Sequence, residues 1–186
     1  MQTRFNQAKA AHAAAVFLRL RGNKMSYLKL IKLLYLLDRA ALERWGRPVT
    51  GDRYVSMKLG PVLSNVRDLI VWEQPRNQSD LWHHLIQKVG TYDVELKKAV
   101  VPDSLSQREL DLIQEVAKKF GHMGKFQIAE YTHTLPEWQK PGNDNSSSPL
   151  EYEDILKGIG KTPEEVSEIC GEILDVNRVA GLVGCQ

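Results

Sequence analysis

The chain has 186 residues, 42% of them hydrophobic and 26% charged, with a net charge of +2; these values suit one domain with its own core and exclude long disorder. Two cysteines, Cys170 and Cys185, are too few for a secreted disulfide framework and fit no zinc spacing. No apolar run reaches the ~20 residues of a membrane span, and the small apolar stretch at 10–18 is interrupted by His12 and closed by Arg19 and Arg21, so it reads as a helix in a cytoplasmic protein rather than as a leader.

In chain order, a first helix is predicted over residues 5–21, stopped by Gly22. Ser26 is placed to cap a long second helix, 27–45, ended by Gly46-Arg47-Pro48. Leu28, Ile31, Leu34, Tyr35, Leu42 and Trp45 share one face, and Leu30, Leu33 and Leu37 widen it. A helix apolar over most of its circumference belongs in the middle of a core. Lys29, Lys32, Arg39 and Glu43 form its polar strip, expected to be solvated. Residues 53–59 alternate and predict a short strand before a Gly60-Pro61 turn, with a helix over 62–72 and a polar loop over 73–80. Residues 85–89 and 92–96 flank Gly90-Thr91 and predict a hairpin with a two-residue type II′ turn.

Three later segments carry helix starts, with Ser or Thr followed three residues on by Glu: Ser106/Glu109, Ser148/Glu151 and Thr162/Glu165. In the last two, proline stands at the first helical position. The first opens a helix to Phe120, stopped by Gly121, and a shorter helix follows over 125–132. Residues 141–148 read as an exposed loop and 180–186 as a fraying tail. The predicted fold is mainly α (α+β): a compact helical domain around a long central apolar helix, with a small β-hairpin or short antiparallel sheet.

Charge is uneven. Residues 1–67 hold 13 Lys/Arg against Asp38, Glu43 and Asp52, a balance of +10, and residues 68–186 hold 12 against 20 Asp/Glu, a balance of −8. Either the basic part meets an acidic or polyanionic partner, or the two parts attract one another across the fold.

Catalytic patterns are weak. Gly158-Ile159-Gly160-Lys161-Thr162 has the end of a phosphate loop, but Ile155 stands where that loop needs glycine. Glu130-x-x-His133 is a single copy of a spacing that di-iron sites use twice. His83-His84 reads as surface histidine, His12 and His122 are isolated, and Cys170 lies in an apolar helical stretch as a small hydrophobe. No catalytic, cofactor or metal residue is assigned, and the chain is expected not to be an enzyme. Residues 106–132 allow a helix-turn-helix, but its second helix includes Glu130 and would attract phosphate weakly.

Three segments resemble one known family. Leu28 to Asp38 (LKLIKLLYLLD) is similar to the "LxKLLYxA" helix of the Panacea, or SocA-like, domain. Gly46-Arg47-Pro48 and Ser56–Val62 (SMKLGPV) match its "GRPL…AWxYGPV" stretch, with Ser56-Met57 in place of Ala-Trp and Leu59 in place of the aromatic before Gly-Pro. Glu130–Trp138 (EYTHTLPEW) matches its "LTHxxPxW" segment. Together they span about residues 28–157 of a single domain covering 1–186, with the first and last helices as extensions.

The resemblance implies an antitoxin of a bacterial, phage or prophage toxin–antitoxin system that binds a cognate protein toxin directly, with delivery of the toxin to an ATP-dependent protease as a further role. No membrane partner is expected, and nucleic acid is the less favoured partner without being excluded. A helix-turn-helix regulator, including an antitoxin that autoregulates its operon, is the alternative, and an unrecognised hydrolase a second one. Partner contacts are expected at the cations Lys29, Lys32 and Arg39. The matched residues Leu33, Leu34, Tyr35, Gly60, Pro61, Val62, Thr132, His133 and Trp138 are expected to maintain the fold.

Overall fold

The structure is a computed structural model that describes residues 4–72, 80–143 and 146–183, with side chains through residue 176. Helix α1, Gln7–Arg19, starts where the Asn6 side chain accepts the Lys9 N–H at 3.0 Å. Its alanines at 10, 11, 13 and 14 are buried and allow close approach to its neighbours, while Phe17 and Leu18 add bulk to the core. Gly22 and Asn23 then take positive φ and turn the chain into β1, Lys24–Ser26, which has no counterpart in the predicted elements.

Helix α2, Tyr27–Trp45, runs over the predicted residues and ends at Gly46, whose φ of +66° gives a left-handed cap. Leu30, Leu33, Leu34, Tyr35, Leu37 and Leu42 are all buried, which makes α2 the centre of the core. Ser26 holds the N-cap position without a side-chain bond. The Tyr27 N–H donates instead to the Tyr92 carbonyl at 2.9 Å.

The next segment departs from expectation. Strand β2, Tyr54–Met57, pairs with β3, Gly60–Leu63, and the Met57–Gly60 register leaves Lys58-Leu59 as the turn. Gly60-Pro61 therefore opens a strand. Pro61 does not start a helix because β3 is the edge of its sheet, where a missing N–H costs no ladder bond. Helix α3, Ser64–Val71, follows. It is capped from a distance: the Asp52 carboxylate accepts the Asn65 N–H at 2.8 Å and the Val66 N–H at 2.9 Å.

A short α4, Leu81–Leu85, forms where no element was predicted and takes only Leu85 from the predicted strand. Asp80 caps it and also binds His83 Nδ1 at 2.7 Å, so His83 is held inward rather than left on the surface. Strands β4, Ile86–Val89, and β5, Asp93–Leu96, form the predicted hairpin, but their Val89–Asp93 register leaves a three-residue loop instead of two. Helix α5, Gln107–Phe120, has the predicted reciprocal Ser106/Glu109 cap. Helix α6, Lys125–His133, follows a short turn.

Ser148 does not cap a helix. Residues Ser148–Leu150 form β6, paired with β2 through Tyr54–Leu150 and Ser56–Ser148, and α7, Tyr152–Gly158, is capped one turn later by Glu151 and Asp154. Helix α8, Pro163–Val183, starts as predicted, with Thr162 and Glu165 bonded reciprocally. Two antiparallel sheets result, ordered β1-β5-β4 and β3-β2-β6, and the α+β class holds. The predicted loop at 73–79, the middle of the 141–148 loop and the end of the tail lie outside the described residues.

The uneven charge closes on itself in part. Lys9–Glu109 at 2.6 Å, Lys24–Asp93 at 3.6 Å, Arg39–Glu137 at 2.7 Å and Arg44–Glu115 each tie the basic first third to the acidic remainder.

Candidate functional site

The three cations expected on a solvated strip turn inward. Lys32 is fully buried, and its ammonium donates to the Pro61 carbonyl at 2.6 Å. Lys29 is buried and donates to the Gly121 carbonyl at 2.6 Å. Arg39 donates through Nε to Glu137 Oε1 at 2.7 Å. Long aliphatic stems carry these charges across the apolar surface of α2 to acceptors on neighbouring elements. The solvated-strip reading is therefore corrected, and as free contacts for a partner these side chains are poorly placed.

Burial changes their chemistry. Desolvation by burial lowers the Lys32 pKa to about 7. Asp38 lies one turn beyond Tyr35 on the same helix and is also fully buried. It accepts the Val49 and Thr50 N–H groups, each at 2.8 Å, the Thr50 hydroxyl, and the Tyr54 hydroxyl at 2.9 Å. Burial pushes its pKa up to about 6 against the pull of those bonds. Tyr35 donates its hydroxyl to Glu137 at 2.8 Å. Burial, and then the Glu137 charge, hold that phenol well above its ordinary range, so it stays a donor.

The matched segments converge on this inner face. Gly60 has φ +93°, and a Cβ there would collide with Thr132 Oγ1 and come within 3.0 Å of Lys32 Nζ. Trp138 donates its indole N–H to the Met57 carbonyl at 3.2 Å, and its ring stacks on His133 with centroids 4.1 Å apart. The result is a clasp: α2, the β2–β3 hairpin and the α6 end are tied by Lys32, Thr132 and Trp138. Glu137 completes it, and nothing in the spacing pointed to this residue. Among the described residues no group of three or more His, Cys, Asp or Glu is placed to hold a metal ion, and no helix is long and apolar enough to cross a membrane.

Beside the turn of the β2–β3 hairpin lies a groove of about 640 Å³. Leu28 and Ile31 of α2, Val62 of β3 and Ile70 of α3 line it with aliphatic surface. At its mouth Leu59, Tyr92 and Phe126 are 41%, 61% and 58% exposed. Three cations also line it, Lys58, Arg67 and Lys125, and no carboxylate does among the described residues. Lys125 Nζ sits 5.3 Å from the centroid of Tyr92 and 5.2 Å from that of Phe126. Contiguous exposed apolar surface ringed by polar groups marks a contact site more often than scattered exposed leucines do.

A model of the family described as antitoxin SocA-like, Panacea domain, matches residues 30–139. The chain belongs to that family. Comparison with curated proteins and with solved structures gives no match. The Panacea match runs from α2 through α6 and so includes the whole clasp. It also holds every groove residue except Ser26, Tyr27 and Leu28. Within the Panacea segment, the residues that resemble the family motifs are mostly interior, whereas Phe126 and Tyr92 fall outside those motifs. Sequence reasoning missed the groove because its parts come from five separate stretches. The one available signal was Leu59, an apolar residue at a turn.

Proposed function

We propose that the chain is an antitoxin that neutralises a cognate protein toxin by direct binding in the bacterial cytoplasm. Membership of the Panacea family carries this reading. The apolar groove supports the binding part of it, since such a surface on a helical domain suits protein–protein contact. Delivery of the bound toxin to an ATP-dependent protease is the finer part of the same proposal. DNA regulation is less favoured: α6 has Lys125 as its one Lys or Arg, includes Glu130, and buries Ile128, Ala129 and Thr132.

The experiment is to place this gene and its neighbouring open reading frame under separate foreign promoters. Growth arrested by the neighbour and restored by this chain, with the two proteins co-purifying, is the expected result. Foreign promoters remove any operator, so rescue without a complex would point to another mechanism. Delivery is read from toxin half-life after synthesis stops, which should shorten when the antitoxin is present and a functional ATP-dependent protease remains.

A further inference from the structure

We infer that the groove between α2, the β2–β3 turn, α3 and α6 seats an acidic amphipathic segment of a protein partner, with its apolar side chains inward and its carboxylates on Lys58, Arg67 and Lys125. The inference rests on the reading that this chain acts by binding a protein, and it names where and by what chemistry.

Shape, composition and charge point the same way. A groove of about 640 Å³ is large enough for several side chains of one helix face. Its lining is aliphatic at the base, through Leu28, Ile31, Val62 and Ile70, so an occupant gains most by burying branched apolar groups there. Tyr92 and Phe126 stand exposed at the edge, as anchoring aromatics of contact surfaces do. Charge then selects the sign of the occupant. Lys58 and Arg67 are exposed and Lys125 half-buried, and the nearby Asp68 faces Arg67 at 3.8 Å without lining the groove. A cationic segment would meet three like charges, whereas an acidic one gains steering and register. Single-stranded nucleic acid also uses cations with aromatics, but it needs stacking platforms along a phosphate track. Here most of the lining is aliphatic.

The probe is a labelled synthetic helix with leucine at i, i+3, i+4 and i+7 and glutamate beside them, set against a twin with lysine for glutamate and a single-stranded oligonucleotide. The acidic helix should bind at least about tenfold tighter than its twin, and less tightly as salt rises. The double variant Leu59→Ser/Phe126→Ser should weaken it about tenfold. Lys58→Glu/Arg67→Glu/Lys125→Glu should reverse the preference between the twins. Single changes Phe126→Ser and Lys125→Glu, both at the groove mouth, repeat the test if a multiple variant melts early. Equal binding of the twins, preference for the oligonucleotide, unchanged binding by both Leu59→Ser/Phe126→Ser and Phe126→Ser, or self-association abolished by the triple variant would each overturn the proposal.

The cellular arm separates this from the antitoxin reading. If wild type rescues growth from the neighbouring toxin and the folded triple variant rescues equally, the groove assignment fails and the antitoxin reading stands. If wild type fails to rescue but the charge reversal is seen with the peptides, the groove assignment stands without it.

Discussion

Lys32 and Lys125 both end in an ammonium group, yet Lys32 is sealed 2.6 Å from the Pro61 carbonyl while Lys125 lies over the rings of Tyr92 and Phe126 at a groove mouth. Around Lys32, α2, β3 and α6 meet with a glycine where no Cβ fits. Around Lys125, the rings of Tyr92 and Phe126 stay more than half exposed. The difference is what each region is for: the first converts polar groups into fixed internal bonds, and the second leaves apolar and charged surface unspent on folding. Substitutions should therefore act on stability in the clasp and on binding in the groove.

The largest effects belong to the clasp and the core behind it. Leu34→Asp places a carboxylate at a fully buried position of α2 and should cost several kcal/mol, comparable with a small domain's whole stability. Lys32→Glu should be nearly as severe, because the new carboxylate would face a carbonyl that now accepts a hydrogen bond. Loss of soluble expression, or collapse of the urea midpoint, is the expected observation. A wild-type midpoint for either would mean that α2 is not central.

Gly60→Ala comes next. The backbone strain at φ +93° costs roughly 1–3 kcal/mol, and the methyl would also meet Thr132 Oγ1. Adding Thr132→Ala should relieve the contact but not the strain. The double variant should thus recover part of the loss relative to the sum of the single changes, read as a coupling in urea unfolding. Strict additivity would contradict the close approach.

How far the residues announced these two regions differs sharply. Helix α2 was readable to its ends because a long apolar run stops at Gly46, and a glycine that takes a left-handed cap is a local signal. The Ser106 and Thr162 starts were readable for the same reason. Ser148-Pro149-Leu150-Glu151 satisfied the identical local rule and misled, because pairing with β2, some ninety residues earlier, claimed those residues as a strand. Strand β1 had no signal at all: three residues owe their conformation to β5. The spacing of Lys29, Lys32 and Arg39 showed that they share a strip, but not whether carbonyls or water would receive it. Membership of the family was legible in Gly60-Pro61, Thr132-His133 and Trp138, and these proved to lie in the clasp, whereas Lys32 was expected to face solvent or a partner. The groove was not, since it exists only after distant segments meet.

A smaller effect distinguishes the buried lysine by pH. The folded pKa of Lys32 is about 7, against 10.5 for an unburied lysine. Between those values the unfolded chain holds a proton that the folded chain has released, so raising the pH favours the folded state. The slope is at most about 1.4 kcal/mol per pH unit. Below pH 7 both states are protonated and the slope vanishes. Asp38, with a folded pKa of about 6 against 3.8 unfolded, acts in a lower window and with opposite sign, since the folded state keeps its proton there. Wild-type stability minus that of Lys32→Met should therefore rise from pH 7 to 9. A flat difference would show that Lys32 keeps its charge.

The smallest expected effect is on the groove side, and it is informative because it should be near zero. Phe126 is 58% exposed, so Phe126→Ser returns little apolar area to water on unfolding comparisons. Lys125→Met keeps the stem and loses the contacts with Tyr92 and Phe126, each worth roughly 0.5–1 kcal/mol at exposed sites before the charge's regained hydration is counted. Both variants should melt within a few degrees of wild type, in contrast to every clasp substitution above. Partner binding should respond in the reverse order, strongly to Phe126→Ser and little to any clasp variant that still folds. If Phe126→Ser instead lowers stability by more than about 2 kcal/mol, beyond the ordinary range for surface changes, then the aromatic edge belongs to the core and the division between the two regions breaks down.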